Sequence, residues 1–257
     1  MLRFKSLGSG SSGNATLVQS TGRNVCNVLI DCGFGLRQLL LRLEKSGVLP
    51  DQLDAIFITH EHGDHTGCVH SLSNQYRIPV WMSAGTASAI SYVDTQGLLH
   101  TASDGQAIAL NGLQLCPFTV PHDAREPLQL TCTNGAAKLG VLTDLGHATA
   151  HVLDQLQGCH ALILECNHDA DLLAASLYPP FLKQRVGGDY GHLANSQAAR
   201  IASAVQHSGL KHVVAAHLSQ QNNSPALVES MLAQAMSCSA NDIVIASQND
   251  GCPWLSV

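Results

Sequence analysis

The stretch "FITHEHGDHTG", residues 57–67, joins an apolar run to a dense group of ionisable side chains. Three histidines, a glutamate and an aspartate lie within six positions, in a chain with only 12% charged residues. The segment "AIFIT" (55–59) is rich in β-branched and apolar residues and predicts a strand. The ionisable groups therefore fall in the turn at the strand's end, where a rigid scaffold usually presents functional groups.

The spacing within this turn favours a metal site. His60 and His62 are two residues apart, so their side chains share a face in an extended backbone. Asp64 and His65 follow Gly63, whose backbone freedom allows them to point to a second centre. Four potential ligands within six residues suit two adjacent cations. The alternative interpretation is a solvated loop with incidental histidines.

Three further strand-like segments end on residues of ligand type. "FTVPHDA" places His122 after an apolar run, "GVLTDLG" places Asp144, and "HVVAAHLS" places His217. Each of them alone is weak evidence, because a lone residue of this kind at a strand end is more often an ordinary hydrogen-bonded residue. Together they supply the ligands that the first turn lacks.

Composition limits the class of protein. The 257 residues contain no linker and no repeat, so a single domain over residues 1–257 is predicted. No apolar run approaches the roughly 18 residues of a membrane span, and the first residues have no signal-peptide pattern. The nine cysteines form no C-x-x-C pair and are expected to be reduced, which predicts a cytoplasmic protein without a membrane partner.

The charge balance bears on partners. The net charge of −6 gives no global attraction to nucleic acid, so such binding needs a local basic patch or a metal. Histidine is unusually frequent, with 14 residues against 13 lysines and arginines.

The apolar pattern predicts an α/β protein. Strands are predicted at 15–19, 25–31, 55–59, 78–82, 113–119, 128–133, 138–143, 160–166, 211–216 and 243–247. Helices are predicted through Leu36, Leu39, Leu40 and Leu43, and near 84–93, 148–157, 195–207 and 225–236. The glycine- and serine-rich segment 8–14 predicts a turn. Strands cluster in the first half without strict alternation, which argues against a plain doubly wound sheet.

The order of these motifs resembles the metallo-β-lactamase superfamily, from "GSGSSGN" (8–14) to "AHLSQQNN" (216–223). The resemblance implies a four-layer αβ/βα sandwich with two divalent metal ions. Imidazole and carboxylate ligands suit zinc or manganese, and also iron. The implied ligands are His60, His62 and His122 for one metal, Asp64, His65 and His217 for the other, and Asp144 bridging both. A bridging hydroxide is the implied nucleophile, because a metal can lower the pKa of bound water from about 15.7 to near 7.

The segments "LILECNHD" (162–169) and "GHLANSQAARIA" (191–202) are similar to the ribonuclease Z branch. That similarity implies that Glu165 orients His192, which protonates the leaving oxygen of a phosphodiester, with Asp64 as a further catalytic residue. The alternatives are that His192 only flanks the helix predicted at 195–207, and that Glu165 is a buried ion-pair partner.

Taken together, "GSGSSGN", "ECNHD", "GHLAN" and "HLSQQNN" resemble the YycJ-like subgroup, which implies DNA exonuclease activity. Cys68 replaces a frequent glycine and Ala194 a usual serine, which puts fine substrate preference in doubt more than mechanism. The long inserted arm with which ribonuclease Z grips tRNA has no counterpart, which disfavours tRNA processing.

A polar shell is predicted around the metals. The substrate-binding candidates are Ser11, Ser12, Asn14, Asn167, His168, Asn222 and Asn223. The first three lie with Ser9 in a glycine-rich loop that can bind phosphate through backbone N–H groups, and a plain turn is the alternative. For the others the alternatives are a solvated loop and a helix N-terminus. Lys183 and Arg185 are the best basic candidates for a nucleic-acid backbone, but they are only two charges and a solvated helix end is the favoured interpretation.

The predicted function is therefore a dinuclear phosphodiesterase or nuclease acting on nucleic acid, on DNA rather than RNA. The alternative is a small-molecule phosphodiesterase or thioesterase of the same superfamily, which the few basic residues favour. Iron–oxygen chemistry that depends on an appended flavin domain is disfavoured, because the chain has no room for one. A non-enzymatic relative is disfavoured because all seven ligand positions are filled. The sequence predicts no oligomeric state.

Overall fold

Two seven-stranded sheets form the centre of this computed structural model, which describes residues 1–22 and 24–257. The strands are β1 (Leu2–Gly8), β2 (Ala15–Thr21), β3 (Val25–Ile30), β4 (Ala55–Phe57), β5 (Val80–Met82), β6 (Leu99–Thr101), β7 (Ile108–Leu110), β8 (Leu113–Thr119), β9 (Leu128–Thr133), β10 (Lys138–Leu142), β11 (Ala161–Glu165), β12 (His212–Ala216), β13 (Val244–Ile245) and β14 (Leu255–Ser256). The strand order is β14-β1-β2-β3-β4-β5-β6 in the first sheet and β13-β12-β11-β10-β9-β8-β7 in the second.

Both sheets are mixed, and this decides where the loops lie. In the first sheet β1, β2 and β3 are antiparallel, whereas β3, β4, β5 and β6 run parallel. In the second sheet β10 to β13 run parallel, and β7 to β10 are antiparallel. Because parallel neighbours end at the same edge, the turns after β3 and β4 lie together, as do those after β10, β11 and β12.

Alternating side chains divide each strand between two layers. In β3, Val28 and Ile30 face the core between the sheets, and Leu29 faces the helices on the other side. In β11, Ile163 faces the other sheet and Leu162 the outer helices. Each such side chain contributes about 1.5–3 kcal/mol by leaving water, so the pattern stabilises helix layers outside a pair of sheets.

The helices cover the outer faces of both sheets. They are α1 (Leu36–Ser46), α2 (Gly63–Thr66), α3 (Val69–Tyr76), α4 (Ala84–Ala89), α5 (Ala150–Leu156), α6 (Ala170–Ala175), α7 (Pro180–Val186), α8 (Asn195–Ala204) and α9 (Pro225–Met236), with 3-10 turns at Pro50–Gln52 and Ala240–Asp242. Leu39 and Leu43 of α1 pack with Leu29 of the first sheet, and Leu232 of α9 packs with Leu162 of the second. The predicted four-layer αβ/βα sandwich is confirmed.

The ten predicted strands and five predicted helices all occur, most of them within two or three residues of the expected bounds. The segment 8–14 is a turn, as predicted. Strand β4 ends at Phe57 rather than at 59, because the Thr59 N–H donates to the Asp31 carboxylate instead of to a neighbouring strand. Strand β1 was not among the predicted strands. Its burial nevertheless alternates as in a strand, with Leu2 and Phe4 buried and Arg3 half-buried.

None of the helices within residues 1–22 and 24–257 is long and apolar enough to cross a membrane. All nine cysteines are free thiols, as expected. The division of the chain into one domain over residues 1–257 stays a prediction.

Candidate metal centre

Three histidines converge where β4 and β8 end. His60, His62 and His122 each direct one ring nitrogen to a common point, and these nitrogens lie within 4.8 Å of one another. Nδ1 of His62 is 3.0 Å from Nε2 of His60 and 3.2 Å from Nε2 of His122. The other ring nitrogen of His122, Nδ1, lies 3.0 Å from the Gly191 carbonyl oxygen. Since only an N–H can donate to that carbonyl, the Nε2 lone pair of His122 is directed into the cluster.

A second group lies beside the first. Nε2 of His65 is 3.1 Å from Oδ2 of Asp144 and 3.5 Å from Oδ2 of Asp64. His217 places Nδ1 2.8 Å from Oδ1 of Asp144 and Nε2 3.6 Å from Oδ2 of Asp64. His60, His65 and Asp144 also have donor atoms within 4.8 Å of one another, so Asp144 lies between the two groups. The structure thus brings all seven predicted ligand residues together.

Backbone conformation at three strand ends directs these side chains. Asp31, Asp144 and His217 follow β3, β10 and β12, and each is in the left-handed region, with φ of 59°, 55° and 55°. Non-glycine residues in this region cost on the order of 1–3 kcal/mol each and occur at functional sites. The turn of the backbone directs each side chain to the shared edge instead of to a face of the sheet.

Asp31 is a part of the site that the sequence analysis missed. Its Oδ2 lies 2.8 Å from Nδ1 of His65, and its Oδ1 accepts hydrogen bonds from the N–H and hydroxyl of Thr59. The carboxylate accepts from Nδ1 of His65, so Nε2 is the nitrogen that faces Asp64 and Asp144. The run "VLID" before Cys32, a strand that ends on a carboxylate, was the available signal.

Burial and close contact shift the pKa values of the ligands in opposite directions within the cluster. Burial and the neighbouring His65 hold the pKa of His60 well below its ordinary value, and burial likewise lowers the pKa of His122. Burial alone would lower the pKa of His217, but the Asp144 carboxylate raises it to about 10. Burial would raise the pKa of Asp144, yet its histidine neighbours hold it well below its usual range, so it is ionised.

These residues fit divalent cations. Oδ2 of Asp144 is buried and makes no aligned hydrogen bond within the described residues, although an imidazole nitrogen lies 3.1 Å away. The three nitrogens of the first group lie 3.0 and 3.2 Å apart around His62 Nδ1, without a carboxylate or carbonyl oxygen in either contact. Converging imidazole nitrogens and carboxylate oxygens are the donors that zinc, manganese and iron bind.

Glu165 and His192 form a pair at the margin of this cluster. Oε1 of Glu165 lies 2.7 Å from Nδ1 of His192, while Oε2 accepts from the backbone N–H groups of Leu145 and Leu193. Burial would raise the pKa of Glu165, but His192 lowers it to about 2. Burial would lower the pKa of His192, but the Glu165 carboxylate raises it above its ordinary value. The contact with Glu165 therefore favours the protonated form of the imidazole.

The glycine-rich loop lies against the second ligand group. Asn14 is buried, and its amide donates to Oδ2 of Asp64 and to the Gly10 carbonyl. Ser11 and Ser12 are exposed on the turn. The N–H groups of residues 9, 10, 12 and 13 already donate within the protein, so these four are not free to bind phosphate. A substrate contact through Ser11, Ser12 or Asn14 stays a prediction.

The remaining polar candidates differ in how far they are already bonded. Asn167 donates to the His217 carbonyl, and Asn223 donates to Cys166 and exchanges hydrogen bonds with Asn195. Nδ1 of His168 and both amide atoms of Asn222 are buried without a hydrogen-bond partner among the described residues. Hydrogen bonds of Asn167 and Asn223 thus support the loops, and a substrate contact through any of the four residues stays a prediction.

The two basic candidates are partly engaged. Nζ of Lys183 donates to the Ala174 carbonyl at 2.6 Å, and Nε of Arg185 donates to Oδ2 of Asp123 at 2.6 Å. Asp123 itself lies 3.5 Å from Nε2 of His122. Arg185 is thus linked to the first ligand group through a single carboxylate.

Imidazoles and carboxylates that converge at one edge of a two-sheet sandwich define the class, a metal-dependent hydrolase. The chain matches the Beta-lactamase superfamily domain over residues 26–218 and belongs to that superfamily. The predicted resemblance is therefore confirmed at the level of the family.

Particular relatives refine this assignment. Exodeoxyribonuclease YycJ of Bacillus anthracis is 29% identical, with 91% of this chain and 89% of the relative covered. Ribonuclease Z of Streptomyces coelicolor is 26% identical, with 77% and 79% covered. The metallo-beta-lactamase fold protein YhfI from Bacillus subtilis superposes with a TM-score of 0.76 at 18% identity, over 96% of this chain and 97% of that one. The predicted similarity to YycJ-like exonucleases and, more distantly, to ribonuclease Z is confirmed.

Proposed function

We propose that this protein is a dinuclear metal-dependent phosphodiesterase that degrades nucleic acid, acting as a DNA exonuclease. The observation that carries the proposal is the Glu165–His192 pair, 2.7 Å between carboxylate and imidazole, at the margin of the ligand cluster. Cleavage of a phosphodiester requires a proton for the leaving oxygen, and a histidine held by a carboxylate is suited to supply it. The named activities of the relatives in Bacillus and Streptomyces support the same bond type.

Each group has its own part in this mechanism. One cation would be held by His60, His62 and His122, a second by Asp64, His65 and His217, with Asp144 between them. Zinc, manganese or iron bound there supplies an activated water and stabilises negative charge on the phosphate oxygens. Asn14 fixes the Asp64 carboxylate, and Asp31 fixes the imidazole of His65.

The leaving oxygen receives its proton from His192. Glu165 accepts from Nδ1, which leaves the Nε2 proton of the imidazolium for transfer. The carboxylate is buried and ionised, so it stabilises the protonated ring before the transfer. Of the polar shell, His168 and Asn222 are the proposed substrate contacts, because their buried polar atoms have no hydrogen-bond partner among the described residues.

A small phosphodiester or a thioester is the second candidate substrate. The net charge of −6 and the small number of basic residues favour it, because a long polyanion is not attracted to such a surface as a whole.

The test is cleavage of end-labelled single-stranded and duplex DNA by manganese- or zinc-loaded protein, with Asp64→Ala and His192→Ala in parallel. Asp64→Ala is expected to abolish cleavage, and His192→Ala to slow it by about 10²- to 10⁴-fold. With bis(p-nitrophenyl) phosphate, whose leaving group needs no proton, His192→Ala is expected to cost much less. Full activity of Asp64→Ala would refute the proposal, and turnover of small esters alone would favour the second candidate.

A further inference from the structure

A cleft of about 450 Å³ adjoins the proposed metal centre beside His122, and its lining includes Asp123, Arg185, Tyr190 and Gly191. One hydrogen bond ties it to the ligand His122 and another to the next residue, Asp123. His122 Nδ1 lies 3.0 Å from the Gly191 carbonyl, and the Asp123 N–H donates to the Tyr190 carbonyl at 2.9 Å. The cleft is therefore built onto the same residues that hold the centre.

Two exposed aromatic rings mark this part of the surface. Tyr190 is 63% exposed and Phe181 is 72% exposed, whereas the other four phenylalanines of the chain are buried. The remaining tyrosines and both tryptophans are half-buried. In a protein with so few aromatic residues, two exposed rings near one cleft indicate a binding surface.

The helix geometry places Phe181 beside the cleft. Phe181, Gln184 and Arg185 of α7 stand at i, i+3 and i+4, so they share one face of the helix. Gln184 and Arg185 line the cleft, and the face that carries Phe181 continues it. Arg185 donates one N–H to the Asp123 carboxylate. Its side chain is 59% exposed, so other guanidinium N–H groups face solvent.

Building on the proposed function, we propose that this cleft binds unpaired nucleobases next to the scissile phosphate, so the substrate is a single-stranded nucleic-acid end. Every base has a face that stacks on an aromatic ring, and Arg185 meets the intervening phosphate. Tyr190 precedes Gly191, whose carbonyl contacts the ligand His122, so a base stacked on the ring would lie close to the proposed centre. A duplex keeps its bases stacked inside the helix and must fray before they reach the rings.

The test separates binding of bases from chemistry at the phosphate. Metal-loaded wild type, Tyr190→Ala and Phe181→Ala are compared on oligothymidylate, oligouridylate, a blunt DNA duplex and bis(p-nitrophenyl) phosphate. Tyr190→Ala is expected to raise KM for the single strands about tenfold or more, the loss of one stacking contact. Turnover of the small diester, which has no base, is expected to be unchanged. Tyr190→Trp, which keeps an aromatic ring, should show the wild-type KM. Val93 is another exposed apolar residue, and Val93→Ala should leave KM unchanged.

Several results would overturn the proposal. One is a KM of Tyr190→Ala for single strands that stays within about twofold of the wild-type value. Another is a loss of activity in Tyr190→Ala that is equal for the single strands and for the small diester. A third is a dimer that becomes monomeric in Phe181→Ala with KM unchanged, since the rings would then pack against a second copy. If the wild-type protein cleaves no phosphodiester, the proposed function fails. The cleft is then tested separately, by measuring with fluorescence anisotropy whether Tyr190→Ala weakens binding of labelled oligothymidylate.

Discussion

At the residue scale, the centre depends on carboxylates that touch no substrate. Asp31 is buried in a left-handed conformation after β3, and it holds Nδ1 of His65 at 2.8 Å while accepting two hydrogen bonds from Thr59. Glu165 acts on His192 in the same way. In both pairs a buried anion decides which ring nitrogen carries the proton, and so what the other nitrogen can do.

Replacement of Asp31 by Asn tests this arrangement. In Asp31→Asn the amide oxygen can still accept from Thr59, which leaves the NH2 group facing Nδ1 of His65. The imidazole must then carry its proton on Nε2, where a cation would bind. We expect metal affinity to fall by about 10- to 100-fold, measured by competition with a chromogenic chelator.

Asp54→Asn is the matched control. Asp54 also accepts hydrogen bonds, from the Asn27 N–H and from Asn111, but it lies in the turn before β4, at the opposite end from the ligands. Its replacement is expected to leave metal affinity unchanged. An equal affinity in Asp31→Asn and wild type would contradict the positioning role.

At the scale of elements, the short helix α2, which carries Asp64 and His65, is held by two neighbouring loops. The Asn14 N–H donates to the Asp64 carbonyl, and the Cys32 N–H donates to the His65 carbonyl. Gly33 packs so closely that a Cβ placed on it would stand 1.6 Å from the Asp64 carbonyl oxygen. Two ligands of the second group are therefore positioned by contact between backbones, for which only glycine leaves room.

Gly33→Ala is accordingly expected to displace α2. The overpacking should lower the free energy of unfolding by about 1–3 kcal/mol or more and reduce binding of the second metal ion. Urea unfolding and metal analysis of the purified protein measure the two effects.

The control for this change is Gly35→Ala, two residues along the same loop, where an added Cβ meets no atom within 4 Å. It should cost less than about 1 kcal/mol and leave the metal content unchanged. If both variants retained two metal ions per chain, the close contact would not be what positions α2.

At the scale of the whole molecule, the ligands come from both sheets. His60, His62, Asp64 and His65 follow β4 of the first sheet, whereas His122, Asp144 and His217 follow strands of the second. A cation held across that edge joins the two halves of the sandwich. Because such a site does not persist in the unfolded chain, its binding energy adds to the stability of the fold.

Metal loading is therefore expected to raise the melting temperature. A free metal concentration one hundred times Kd stabilises by about 2.7 kcal/mol, which corresponds to roughly 5–10 °C for a chain of this size. Differential scanning fluorimetry with manganese or zinc, reversed by a chelator, measures the shift. Asp144→Asn, which changes the ligand between the two groups, should remove most of it, and an unchanged shift in that variant would contradict the assignment.

Much of this arrangement was predictable because it depends on residues that lie close together in the chain. The strand before His60 and the spacing of the first four ligands lie within eleven consecutive residues, and apolar periodicity located the strands that precede His122 and His217. Resemblance to a family then supplied the pairing of Glu165 with His192. Asp31, which acts through a contact with His65 from a distant part of the chain, and Tyr190, the proposed stacking residue, were not found in this way.

The sequence by itself determined the α/β class and the ligand types, because periodicity and spacing act over a few residues, and the resemblance to a family supplied the sandwich. Tertiary structure alone decided which atoms meet. The parallel register of β10, β11 and β12 places Asp144, Glu165 and His217 at one edge, although they are separated by up to 73 positions of the chain (217 − 144). It also decided that Asn14 is bonded to Asp64 while Asn222 has no partner among the described residues. Such contacts depend on strand pairing between distant segments, which no local pattern records.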